Sequence, residues 1–309
     1  MKVLFRITLV FALFIIVNSC KKSDTNAPTN PYATMRSNAM ADYDNMYLAT
    51  NVTSATWDGS TNGCNAGNLS STLLSQVLTR LNYFRKEAGL APIASFNPTL
   101  NAECQQAALM MMSNGELNHF PPSTWTCYST AGAQATRSGD LAYNSAQLWT
   151  YSIDQWINDY SVPQLGHRRW ILNTSPAASM GYGCTGTYAA LYCDSFGATP
   201  ANLPAFVAWP AKGYIPVQLI PAAWSISIPN ADFTNTTVTM TDNNGLAVQI
   251  SNPGDPGDGY ADNCFAWYPQ NLISSSNSTD YSYTVNVNDV VVNSTIMNYS
   301  YTVTFFLAK

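Results

Sequence analysis

Few side chains in this sequence are equipped for chemistry. Among its 309 residues are 2 histidines, His119 and His167, and 7 cysteines. No G-x-S-x-G segment is present to raise a serine nucleophile. No C-x-x-C pair is present to cage zinc with thiolates. With Cys20 set aside, Cys64, Cys104, Cys127, Cys184, Cys193 and Cys264 remain, an even set that suits disulfides better than catalytic thiols. The expected pair is Cys184–Cys193, because a Gly-containing turn between them would bring two strands together. Met110, Met111 and Met112 read as core. Asp255, Asp258 and Asp262 lack the spacing of an EF-hand and read as a solvated loop. Trp209, Trp224 and Trp267 read as buried aromatics rather than as a carbohydrate platform.

The elements that must position these residues follow from periodicity. Leu74, Val77, Leu78, Leu81 and Phe84 fall on one helical face, with Ser70 or Ser71 to cap its start and Gly89 to stop it. Asn97 and Pro98 open a second helix that Gly115 closes, its buried stripe running from Leu100 to Met112. A third helix is expected over 145–160, and a further turn over 168–172. From residue 178 the period changes to that of strands: 180–182 and 189–193 pair, and seven or eight short strands follow from 217 to 306. Asn243, Asn244 and Gly245 are hairpin chemistry. The second half therefore reads as an antiparallel β-sandwich.

Composition narrows the function classes. Only 10% of residues are charged and the net charge is -5, without a basic cluster after Lys22, so nucleic acid is not an expected partner. Lys2 and Arg6 precede an apolar stretch over 7–17 that is too short to span a bilayer comfortably and reads as a signal peptide. Asn18-Ser19-Cys20 resembles a bacterial lipobox, which implies cleavage before Cys20 and its lipidation. The partner implied is a membrane, reached through a lipid anchor in the cell envelope, with the outer membrane favoured. The expected organisation is a signal peptide over 1–19, lipidated Cys20 and tether over 20–69, a mixed domain over 70–200 and a β-domain over 201–309. Tyr43, Met46, Tyr47, Leu48 and Trp57 lie late in the tether, where they could pack on the next domain.

Several patches fall in the order of the CAP superfamily (cysteine-rich secretory, antigen 5, pathogenesis-related). They are Leu81-Asn82-Tyr83-Phe84-Arg85 with Gly89-Leu90-Ala91-Pro92, then Asn118-His119, then Ser138-Gly139-Asp140-Leu141-Ala142. Gln155-Trp156-Ile157-Asn158-Asp159 and Gly166-His167-Arg168-Arg169-Trp170-Ile171-Leu172-Asn173 complete the set. The region resembles a CAP domain, which implies an α+β fold, a CAP-like α-β-α sandwich followed here by the β-sandwich. The resemblance also implies a cleft carrying His119, Asp140, Asp159 and His167. The family has glutamate at both acidic places; aspartate shortens each reach by about 1.5 Å. Asp154, one turn before Asp159, is an alternative for the second acid.

Two neutral imidazoles suit zinc or another divalent ion, with carboxylates to orient the rings. The expected role is non-enzymatic binding of a lipid, peptide or cell-wall ligand in this cleft. Alternatives are a metal-dependent hydrolase using the paired histidines, and an adhesin or interaction module with a vestigial cleft.

Overall fold

The computed structural model describes residues 31–257, 259–273 and 279–308. The signal peptide and Cys20 lie outside the described residues. No helix among the described residues is long and apolar enough to cross a membrane.

The chain opens with α1 (Pro31–Asp42), followed by a π-helical turn Tyr43–Tyr47 and a 3-10 turn Leu48–Thr50. These turns bring Tyr43 and Tyr47 against Tyr83 of α2 (Ser71–Glu87), with ring centroids 6.3 and 5.4 Å away. The caps anticipated from sequence are present. Ser70 accepts from the Leu73 amide at the start of α2. Asn97 accepts from Thr99 and Leu100 at the start of α3 (Pro98–Asn114), which ends on left-handed Gly115. Then come α4 (Thr130–Arg137), β1 (Gly139–Tyr143), α5 (Tyr151–Asn158), α6 (Gly166–Ile171), β2 (Gly181–Cys184) and β3 (Tyr188–Tyr192).

The sheet β1-β3-β2 is antiparallel and lies between two helical layers. Leu141, Tyr188 and Ala190 pack with Cys104, Ala107, Met111 and Ala135 of α3 and α4. Ala142, Ala189 and Leu191 face the opposite way, into a core that holds Phe84, Ile153 and Trp156 of α2 and α5. Strand alternation explains the split. The third helix starts later than its apolar pattern predicts. Asn144 and Leu148 instead donate to the carbonyls of Thr187 and Gly186, which pins that segment to the β2–β3 turn.

The second half is β4 (Val207–Trp209), β5 (Gly213–Pro216), β6 (Trp224–Ser227), β7 (Ala231–Asp232), β8 (Thr237–Asp242), β9 (Ile250–Gly254), β10 (Cys264–Pro269), β11 (Tyr281–Val292) and β12 (Thr295–Phe306). One sheet runs β4-β6-β10-β9; the other runs β5-β12-β11, with β7 and β8 both paired to β11. Trp224 of the first sheet meets Tyr283 and Phe305 of the second at 6.2 and 5.8 Å, so the sheets share a core. The sandwich is not wholly antiparallel, because β5 runs parallel to β12. Trp209, Trp224 and Trp267 are buried in it, as core aromatics should be.

The two halves are fastened by buried arginines of α6. Arg168 donates to the carbonyls of Ile157 and Asn158 on one side and to Ala223 O and Ser225 Oγ on the other. Arg169 donates to the carbonyls of Gly257, Tyr260 and Asp262 in the β-domain. Hydrogen bonds to neutral carbonyls satisfy these guanidinium donors, which would otherwise be costly to bury.

The expected Cys184–Cys193 disulfide does not form. Cys184 sits opposite Ala189, and by the same register Cys193 falls opposite Met180, about 13 Å away along the strand. Both are free and buried, as are Cys104 and Cys264. The bond that does form is Cys64–Cys127, with a Cα separation of 5.1 Å. It ties the loop after α3 to the segment before α2.

Candidate functional site

His119 lies in the loop after α3, and its Nδ1 is 2.7 Å from the carbonyl oxygen of Thr136 near the end of α4. A carbonyl only accepts, so Nδ1 carries a proton, and Nε2 has no hydrogen-bond partner among the described residues. His167, in the first turn of α6, has Nδ1 2.7 Å from Asp159 Oδ1. The carboxylate accepts from this ring too, and its Nε2 has no partner among the described residues. Asp159 is held in a left-handed conformation, φ 53°, where α5 ends. Its Oδ2 accepts from the Arg168 amide at 3.2 Å, so one buried carboxylate orients the His167 ring and satisfies an amide of α6. The alternative acid, Asp154, is not part of this group; it pairs with Arg80 elsewhere.

Asp140 is the second residue of β1 and is buried, with Oδ2 lacking any hydrogen-bond partner. The chain reaches this geometry only because residue 139 is glycine. A Cβ there would stand 2.5 Å from the Leu191 carbonyl oxygen and 2.9 Å from that of Ala135. Gly166 has the same role before His167, since its Cβ would meet the Tyr260 ring at 2.5 Å. The glycines preceding an acid and a histidine are thus conditions for close packing of α4 on the sheet and of the β-domain on α6.

Two residues of the site were not read from the sequence. Both Cys193 and Asp194 donate their amides to the Ser138 carbonyl, so the end of β3 is held beside the start of β1. A carboxylate oxygen of Asp140, Cys193 Sγ and a carboxylate oxygen of Asp194 all lie within 4.8 Å of one another. Cys193 donates to Asp194 Oδ1 at 3.3 Å. The signal for this cluster is not local, because it exists only through the β1–β3 register that pairs Asp140 with Leu191.

Electrostatics ties the parts together. Burial pushes Asp140 well above the usual carboxylate range, and the charges of Asp194 and Asp159 push it the same way. Burial also raises Asp194, although Cys193, His119 and His167 oppose the rise. Both rings are therefore within electrostatic reach of one carboxylate. Burial, with Asp140 and Asp194 beside it, holds Cys193 as a thiol far above its ordinary pKa. That makes it a poor nucleophile. Among the described residues, no serine, threonine or cysteine side chain donates to either ring. What the group offers is two ring Nε2 atoms without a partner among the described residues, a set of crowded buried acids and an unpartnered Asp140 oxygen.

The flanks are apolar. Leu117 and Phe120 beside His119, and Phe196 two residues after Asp194, are large hydrophobic side chains with 42, 68 and 62% of their surface exposed.

Residues 78–196 match the family described as CAP, the cysteine-rich secretory protein family. No curated protein matches the chain.

Proposed function

The chain carries a CAP domain over residues 78–196, and from that premise we propose that it is an exported, lipid-anchored cell-envelope protein. Its CAP domain binds a lipid, peptide or cell-wall ligand in the His119–His167 cleft without turning it over. The observation that carries this reading is the pair of rings, each fixed through Nδ1 with Nε2 left open, beside an acidic cluster without a poised nucleophile. Exposed Leu117, Phe120 and Phe196 add apolar surface to that polar centre, a combination suited to an amphipathic ligand. The anchor rests on residues 1–20 of the sequence.

The test uses the full-length protein with three probes: palmitate, an unstructured hexapeptide and a purified muropeptide. Binding of one of them, weakened about tenfold or more by His119→Ala and by His167→Ala, supports the proposal. Turnover of a probe that these variants abolish makes the protein an enzyme instead. Binding of none of the three removes the ligand-binding reading. Lipidation is checked separately by labelling cells with an alkyne fatty acid. Incorporation that survives Cys20→Ala rules the anchor out.

One observation favours a second reading, a metal-dependent hydrolase. Asp140 Oδ2 is buried without a partner, within a cluster whose donors span at most 4.8 Å. Donors of a tetrahedral zinc ion stand about 3.3–3.8 Å apart, so this donor set would have to close in to hold one. Asp140, Cys193 and Asp194 would hold it, and neither histidine nitrogen lies within 4.8 Å of all three. When bound, such an ion lowers the pKa of a bound water or polarises a carbonyl. Elemental analysis of protein purified without chelators decides this reading. Absence of zinc and other divalent metals, with no uptake of added zinc, would sink it.

A further inference from the structure

Away from the histidines, a cavity of about 480 Å³ opens between α5, the N-terminal turns and the β-domain. Its size is in the range of small-molecule sites, and a boundary between domains is a common place for one. Its acidic lining residue is Asp154, ion-paired with Arg80 behind the wall; the two side chains are 10 and 2% exposed. Arg80 is fully engaged: it donates to Asp154 Oδ2, Thr50 Oγ1 and the Tyr47 carbonyl, and its guanidinium lies 3.7 Å from the centre of the Tyr47 ring. Asp154 is not. Its Oδ1 is buried without a hydrogen-bond partner. The Tyr47 hydroxyl is near enough to help keep the carboxylate ionised without meeting hydrogen-bond geometry.

The rest of the lining matches that free acceptor. Gln155 and Asn158 turn one face of α5 to the cavity, and among the described residues their side-chain amides make no hydrogen bond. Tyr151 and Tyr160 stand at the rim with 49 and 76% of their surface exposed. The charge of the Asp154–Arg80 pair is already balanced, which decides the class of ligand. An anion would face the free carboxylate oxygen, and a cation would face the buried guanidinium beside it; both are disfavoured. A buried acceptor instead needs a neutral donor such as a hydroxyl. Exposed aromatic rings beside side-chain amides suit a molecule with apolar faces and hydroxyl edges.

We propose that this cavity binds a short neutral glycan, with Asp154 Oδ1 accepting from a sugar hydroxyl. Gln155 and Asn158 read neighbouring hydroxyls, and Tyr151 and Tyr160 cover the apolar faces of the rings. This site is separate from the histidine cleft, and neither reading depends on the other.

The experiment is ligand-observed saturation-transfer NMR and calorimetry on the full-length protein in a detergent without a sugar headgroup. Cellobiose and chitobiose are the neutral probes; glucosamine and glucuronic acid are the charged controls. At least one neutral disaccharide should bind, and better than either charged sugar. Tyr160→Ala and Gln155→Ala, both surface changes, should each weaken it severalfold, and Asp154→Asn about tenfold or more. No transfer to either disaccharide at millimolar concentration overturns the proposal. So does preferential binding of a charged sugar, or neutral-sugar binding that Tyr160→Ala and Gln155→Ala leave unchanged.

Discussion

Asp140 and Asp154 each have one buried carboxyl oxygen that lacks a partner, yet their surroundings are opposite. Asp154 is neutralised by Arg80, and although burial still raises it, its pKa reaches only about 6. Burial raises Asp140 most, and with no cation in contact among the described residues and Asp194 and Asp159 adding to the rise, its pKa goes well above that of an ordinary carboxylate. The contrast separates two kinds of buried acid. One site has balanced charge and lacks only a hydrogen-bond donor. The other crowds buried acids together and demands a proton, a cation or a ligand that supplies positive charge. Both belong to the same half of the molecule, which shows how completely the local partner decides what a buried acid can recognise.

The sharpest way to break the contrast is to make Asp154 resemble Asp140. Arg80→Met leaves Asp154 as an uncompensated buried charge, and the expected loss is about 3–5 kcal/mol in urea unfolding at neutral pH. Arg80→Met/Asp154→Leu should recover most of that loss, because no charge is then stranded; a double variant as unstable as the single one would contradict this. Next in size is a pH effect with an unusual sign. Both carboxylates have folded pKa values above their unfolded ones, so their contribution to stability is full below about pH 4 and is lost as pH rises. For Asp154, whose folded pKa is about 6, the loss between pH 4 and pH 7 is about 2 kcal/mol. Asp154→Asn should remove that share of the slope, and Asp140→Asn should remove its own. A stability that rises steadily from pH 4 to pH 7 would show that other carboxylates dominate.

Much of this arrangement could be read in advance, and the parts that could not share a cause. Helices α2 and α3 carry their own limits, in Ser70, in Asn97-Pro98 and in Gly115. Helix α4 does not announce itself, because the face it packs on α3 is built from Gly132, Ala133, Ala135 and Thr136 rather than from a stripe of large apolar residues. The two histidines stand out because they are the only ones in the sequence. Cys193 and Asp194 do not, since their nearness to Asp140 depends on which strand lies beside β1. The Cys64–Cys127 bond joins residues 63 apart, and the hairpin that made Cys184–Cys193 attractive separates those thiols by register. Arg80, Arg85 and Arg168 belong to a charged type that is seldom fully buried, yet all three are. Sequence reveals what a segment prefers for itself; it is silent where a distant carbonyl or carboxylate changes that preference.

A cation should separate the two sites further. On the metal reading, zinc at a hundredfold excess over its Kd stabilises the protein by about 2.7 kcal/mol, seen as a raised Tm. Asp140→Asn or Cys193→Ser should reduce that shift, whereas Asp154→Asn should leave it in place because Arg80 already fills the need for positive charge. An equal loss in all three variants would place the ion somewhere other than the Asp140 cluster.

The smallest expected effect is informative because it is small. Tyr160 is 76% exposed and the Gln155 amide makes no hydrogen bond among the described residues. Neither side chain supports the fold, so Tyr160→Ala and Gln155→Ala should each change unfolding free energy by no more than about 0.5 kcal/mol. Urea titration of each variant against the wild type measures this directly. A loss of 2 kcal/mol or more, on the order of a core truncation, would mean that the rim of the Asp154 cavity is structural. A small loss would leave the ring free to act on what it meets from solution, as the glycan proposal requires. The same reasoning does not extend to Asp140, where the unpaired oxygen is buried and any substitution also changes the balance of buried acidic groups.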